Sequence, residues 1–173
     1  MTTHSMRPQD IVVLLKIISL NGETWMNKEL AAALFLSPAE ISNSLHRSTI
    51  SGLLDADRCR VRLQSLIEFL NYGLPYVFPQ MPGGMAKGMP TGHSHDYLKD
   101  KIITSETLVW PDAENNHRGF SVQPLYPGAV RAAKSDARLY LYLALTDVLR
   151  MGKVREKALA LEKLKEEFYE PSY

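Results

Sequence analysis

The chain of 173 residues has a single cysteine, Cys59, almost no charge imbalance and no long unbroken hydrophobic run. A lone cysteine has no internal partner, so the fold must rest on packing and nothing calls for an oxidising compartment. The longest apolar stretch, Ile11–Leu20, is interrupted by Lys16 and is too short to cross a bilayer. It also lacks the basic start and small-residue cleavage site of a secretory signal, so a cytoplasmic protein without membrane attachment is expected. The net charge of +1 argues against indiscriminate coating of nucleic acid, which works through bulk phosphate neutralisation. It leaves room for a specific binder that places a few cations locally.

Catalytic signatures are equally scarce. There is no HExxH, no CxxC pair and no nucleophile elbow, and Gly83, Gly84, Lys87 and Gly88 do not have P-loop spacing. His93-Ser94-His95-Asp96 sets two imidazoles and a carboxylate close together, and His117 is a further donor, but no second pair stands at metal spacing. A metal-dependent enzyme using His93 and His95 is therefore the weakest reading. Cys59 lies among arginines that favour a thiolate, yet it has no resolving partner for redox sensing. No catalytic residue, metal or cofactor is assigned.

What is present suits a folded protein: 45% hydrophobic and 23% charged residues. Three regions separate by composition. Residues 7–72 are predominantly helical in pattern, and the opening Met1–Ser5 is expected to fray. Residues 73–131 hold seven of the ten prolines and seven of the ten glycines, which excludes long helices there. Within them, 79–95 is expected to be a surface loop, while Leu108–Trp110 and Gly119–Val122 are expected to pair as a hairpin. Residues 132–169 return to helical composition, with one helix expected over Ser135–Met151 and another over Lys153–Tyr169.

In the first region, Pro8 suits a helix start, and Ile11, Leu14, Leu15 and Ile18 form one apolar stripe. Asn21-Gly22 has the chemistry of a left-handed stop. Asn27 is expected to cap a second helix facing inward through Leu30, Ala31 and Leu34. Ser37-Pro38-Ala39-Glu40 combines a capping serine, a first-turn proline and a glutamate placed to reach back to the cap. Ile41, Leu45 and Ser48 then form the buried stripe of a third helix closed by Gly52.

Asn27–Arg47 thus has the spacing of a helix-turn-helix, in which the second helix enters the major groove. Ala31 is small where the helices cross. Ser37 opens the reading helix, and Ala39, Ser42, Asn43 and His46 keep its outer face short or polar, so that it can approach base edges. Asn43 offers the paired donor and acceptor that suit adenine, and Arg47 is expected to reach a phosphate or guanine.

On the successive helices, the ELA…L.LS…IS.SL.R pattern and the closing Gly52-Leu53-Leu54, residues 10–62 resemble the winged helix-turn-helix of bacterial MarR-type regulators. The resemblance implies a short wing over Leu54–Leu63, with Arg58, Arg60 and Arg62 alternating toward the minor groove or backbone. Two positions depart from the pattern: Phe35 stands where the turn often has glycine, and Ser48 where a leucine is expected. The C-terminal half is loosely similar to uncharacterised bacterial regulators associated with toxin–antitoxin or phage-defence loci.

The fold expected is α+β, mostly α: an N-terminal winged helix-turn-helix, a Pro/Gly-rich connector with a small β-hairpin, and two C-terminal helices for dimerisation or sensing. The function expected is sequence-specific binding of double-stranded DNA by a homodimeric repressor or autoregulator, with a small-molecule effector or toxin as further partner. The competing class is a non-catalytic antitoxin or interaction module that retains the fold. The dimer interface is expected within Leu139–Leu149 or Val154–Phe168. A chain ending after Ala132 is expected to lose tight operator binding even where its first three helices hold.

Overall fold

The structure, a computed structural model, describes residues 4–170. Met1–Thr3, part of the segment expected to fray, lie outside the described residues. Among those described, the order is α1 (Pro8–Ser19), α2 (Asn27–Leu34), α3 (Pro38–Ile50), α4 (Leu63–Tyr72), α5 (Leu74–Val77), β1 (Met85–Pro90), β2 (Leu108–Pro111), β3 (His117–Ser121), α6 (Ala129–Lys134), α7 (Ala137–Met151) and α8 (Val154–Tyr169). The class is α+β with helix dominant, as the composition implied. No helix among the described residues is long and apolar enough to cross a membrane.

Pro8 opens α1, and the Asp10 carboxylate accepts from the Arg7 amide at 2.8 Å. Asn21 (φ 50°) and Gly22 (φ 84°) supply the left-handed stop after the helix. The buried face of α1 is wider than its stripe suggested, because Val12 and Val13 are buried along with Ile11, Leu14 and Leu15. The cause is tertiary: α1 packs against both α3 and α7. Helix α2 starts with Asn27 already inside it. The capping position is Met26, whose amide donates to the Glu29 carboxylate at 2.7 Å, so the expected Asn27 cap is replaced by a first-turn glutamate. Leu30, Ala31 and Leu34 face the core as expected.

The middle region departs most from expectation. Residues 85–90 within the presumed loop form β1, and β2 and β3 do not make a hairpin with each other. Both run antiparallel to β1: Gly88–Pro90 pairs with Pro111–Val109, and Met85–Gly88 with Phe120–His117. Strands β2 and β3 lie parallel through Leu108↔Phe120 and Val109↔Ser121, which closes the small sheet on itself. Gly88 sits at the junction, where an added Cβ would come 1.9 Å from the Trp110 carbonyl oxygen. Only glycine allows that approach.

Helix α7 is the central element. It packs against α1, α4, α5, α6 and α8 and carries a nearly continuous buried run from Tyr142 to Arg150. Asp136 caps it through the Leu139 amide at 3.0 Å, and the same carboxylate takes Lys16 of α1 at 2.6 Å. Leu139, Leu143, Leu145 and Leu149 lie inside the subunit core, as do Ala160, Leu164 and Phe168 of α8. These side chains fill their own subunit, while Val154 and Ala158 of the α8 stripe are exposed and Leu161 is half-buried.

Candidate nucleic-acid interface

The turn between α2 and α3 is built around Phe35, the position where the MarR-type pattern often has glycine. Phe35 takes the left-handed conformation (φ 55°, ψ 40°), an uncommon one for a side chain bearing a Cβ. Two contacts from the C-terminal half hold it. The Tyr126 hydroxyl donates to the Leu34 carbonyl oxygen, and the Arg131 guanidinium lies 4.2 Å above the Phe35 ring. Burial pushes the Tyr126 phenol well above its ordinary value, so it remains a donor.

Helix α3 starts as its sequence dictates, with Ser37 Oγ accepting from the Glu40 amide at 3.1 Å. The Glu40 carboxylate does not reach back to the cap. It accepts from Arg47 and, at 3.2 Å, from Gln9 of α1. Burial opposes its ionisation, but these hydrogen bonds and the charge of Arg47 prevail and hold it below the usual carboxylate range.

Arg47 is turned inward, which corrects the expectation that it reaches DNA. It is 5% exposed. Its Nε and Nη2 bind the two oxygens of Asp10 at 2.9 and 2.7 Å, a bidentate fork on a carboxylate with no exposure of its own. The reason is helical phase. Arg47 falls beside Ser44 and Ser48 on the buried side of α3, and Asp10 in the first turn of α1 supplies its charge partner. The Arg47 guanidinium is held even above its usual basicity, chiefly by the hydrogen bond to Asp10.

The opposite side of α3 is open. Ser37, Ala39, Ser42, Asn43 and His46 are all exposed. After Gly52 (φ 77°), residues 54–61 form a minimal hairpin with one antiparallel bridge, Leu54↔Val61. Its arginines differ in what they touch. Arg58 Nη2 lies 3.1 Å from His46 Nδ1. Arg62 Nε pairs with Asp55 at 3.0 Å in an exposed bridge. Arg60 is exposed and has no ion pair among the described residues.

The other candidate groups do not converge. His93 Nε2 is bound to the Glu106 carbonyl at 2.8 Å. His95 is buried, its Nδ1 accepts from the Tyr97 amide at 3.1 Å, and its ring stands edge-on to Tyr140 at 4.3 Å. Burial lowers its basicity against the opposing charge of Asp96. No group of three or more His, Cys, Asp or Glu side chains is gathered as a metal set among the described residues.

One buried polar cluster had no counterpart in the sequence reading. Asp147 accepts from Thr91 Oγ1 (2.7 Å), Trp110 Nε1 (2.8 Å) and Arg150 (2.8 Å), and Arg150 also donates to the carbonyls of Phe78 and Gln123. It fastens the small sheet to α7. The signal available was an aspartate in the middle of an apolar helical stripe, which burial makes costly unless it is fully paired.

Comparison of the chain with protein-family models, curated proteins and solved structures found no match.

Proposed function

We propose that the protein is a sequence-specific binder of double-stranded DNA, acting as a transcriptional regulator through a winged helix-turn-helix of MarR type. One observation carries the reading: α3 is pinned from behind by the Arg47–Asp10–Glu40 cluster while its outer face offers Ala39, Ser42, Asn43 and His46, with Ile50 exposed at its far end. A rigid helix with a slim polar face is what major-groove reading requires. Asn43 is the adenine reader, His46 a second base contact, and Ser37 lies at the entry of the helix. The 54–61 hairpin is the wing, and Arg60, which has no ion pair among the described residues, is its cation for phosphate.

The working unit is a homodimer, because one short helix covers few base pairs and two-fold pairing sets half-sites about 34–36 Å apart. Selection of bound sequences from a random DNA pool at stated salt is the test. Enrichment of a palindrome supports the reading, and absence of any enriched sequence refutes it. Sedimentation at tens of micromolar, with and without the selected DNA, checks the dimer.

A second reading, a non-catalytic protein-interaction module, has one observation in its favour. Tyr72, Tyr76 and Val77 on α4 and α5 are all strongly exposed, and exposed aromatic groups are enriched at protein interfaces. A DNA-selection failure would turn attention to that surface.

A further inference from the structure

The wing brings one of its arginines onto the outer face of α3, where Arg58 Nη2 lies 3.1 Å from His46 Nδ1. A guanidinium has N–H donors and no acceptor, and it stays charged in proteins. The shared hydrogen therefore belongs to Arg58, and His46 Nδ1 accepts it with a bare lone pair. A neutral imidazole whose Nδ1 is bare carries its proton on Nε2. The His4 ring stands edge-on to His46 at 5.7 Å between centroids, a further neighbour of that ring.

We propose that Arg58 is a positioning residue, holding His46 as the Nε2–H tautomer so that α3 presents one hydrogen-bond donor to the acceptor edge of a base. The inference rests on the DNA-binding reading above and names what its second base contact selects. In the major groove, guanine offers N7 and O6, adenine N7 and thymine O4, whereas cytosine offers only a donor. His46 so held disfavours cytosine at the base it faces and takes guanine best, since guanine has two neighbouring acceptors. This differs from the minor-groove or backbone contact that the family resemblance implies for Arg58. A guanidinium engaged with an imidazole specifies a base, while a guanidinium on a phosphate strengthens every sequence alike.

Two measurements separate this inference from the reading beneath it. The first uses the full chain without DNA: ring 15N resonances of His46 in the wild type and in Arg58→Ala. The expected result is an Nδ1 signal typical of a hydrogen-bond acceptor that shifts toward the free-imidazole value in the variant. Identical spectra would overturn the positioning role whatever the protein binds. The second is sequence selection with salt titration. Arg58→Ala should lose on the order of tenfold in preference at one base pair, with the salt slope unchanged. His46→Gln, which keeps a donor near the Nε2 position, should retain the preference, and His46→Asn should lose it. A slope reduced by about one with base preference intact would make Arg58 a phosphate contact and sink the proposal. If the wild type enriches no sequence, the DNA reading fails and base selection by His46 fails with it, even where the ring spectra show the Arg58 contact.

Discussion

At the scale of single residues, α3 divides sharply between side chains that hold it and side chains that face outward. Arg47→Ala leaves Asp10 buried and uncompensated, and removing one member of such a pair costs roughly 3–5 kcal/mol. Denaturant unfolding should show that loss. Asn43→Ala should leave the unfolding midpoint unchanged and weaken binding to the selected DNA by about 1–3 kcal/mol. Reversal of these two results would mean that α3 is rotated about its axis. Glu40 adds a pH dependence. Its folded-state pKa is depressed, so its contribution is fully present above the ordinary glutamate range and is lost as the pH falls through the folded value. Glu40→Gln should therefore flatten the acid limb of a stability–pH curve, and equal slopes for both proteins would count against the Arg47–Glu40 pairing. The sequence showed that Arg47 was charged and close to the outer face of α3. It did not show Asp10, whose position opposite Arg47 depends on how α1 crosses α3.

At the scale of elements, the caps and stops were legible because they are local. Pro8, Asn21-Gly22, Ser37-Pro38 and Gly52 mark helix boundaries through backbone geometry that a few neighbouring residues decide. The turn at Phe35 was legible only as an anomaly, since its left-handed backbone is held from a distant segment. Tyr126→Phe should cost about 1–3 kcal/mol by leaving the buried Leu34 carbonyl without its donor. A neutral outcome in thermal unfolding would show that the turn stands without help from the C-terminal half. For the arginines of the 54–61 hairpin and its edge, pairing rather than spacing separates one from another. Arg60→Ala should lower the slope of log affinity against log salt by about one, whereas Arg62→Ala, already paired with Asp55, should change it much less. Equal effects would show that the exposed Asp55 bridge opens on DNA.

At the scale of the whole molecule, one hydrophobic cluster runs through all three segments of the chain, from Ile11 of α1 through Trp110 of β2 to Phe168 of α8. The N-terminal helices do not close their own core, because α7 covers part of α1 and contacts α4 and α5. Residues Ile11–Leu15 owe their full burial to both halves, and each fully buried aliphatic side chain is worth about 1.5–3 kcal/mol. A chain ending after Ala132 should therefore lack a cooperative calorimetric transition. A sharp transition in that fragment would show that α1–α5 form an independent unit. The full chain should unfold in one step.

The sequence by itself determined what local chemistry controls: the helices α1, α2, α3, α7 and α8, where most of them begin and stop, and that the outer face of α3 is largely polar. Those outcomes follow from propensity, capping and period, each set within a few residues. Only the tertiary structure decided that β1 joins the sheet between strands far along the chain, that α7 is buried along most of its length by its own subunit, and that Arg47 serves Asp10 while Arg58 reaches His46. Each of these depends on contacts between residues distant in sequence, and a one-dimensional pattern records the burial of a side chain without recording what covers it.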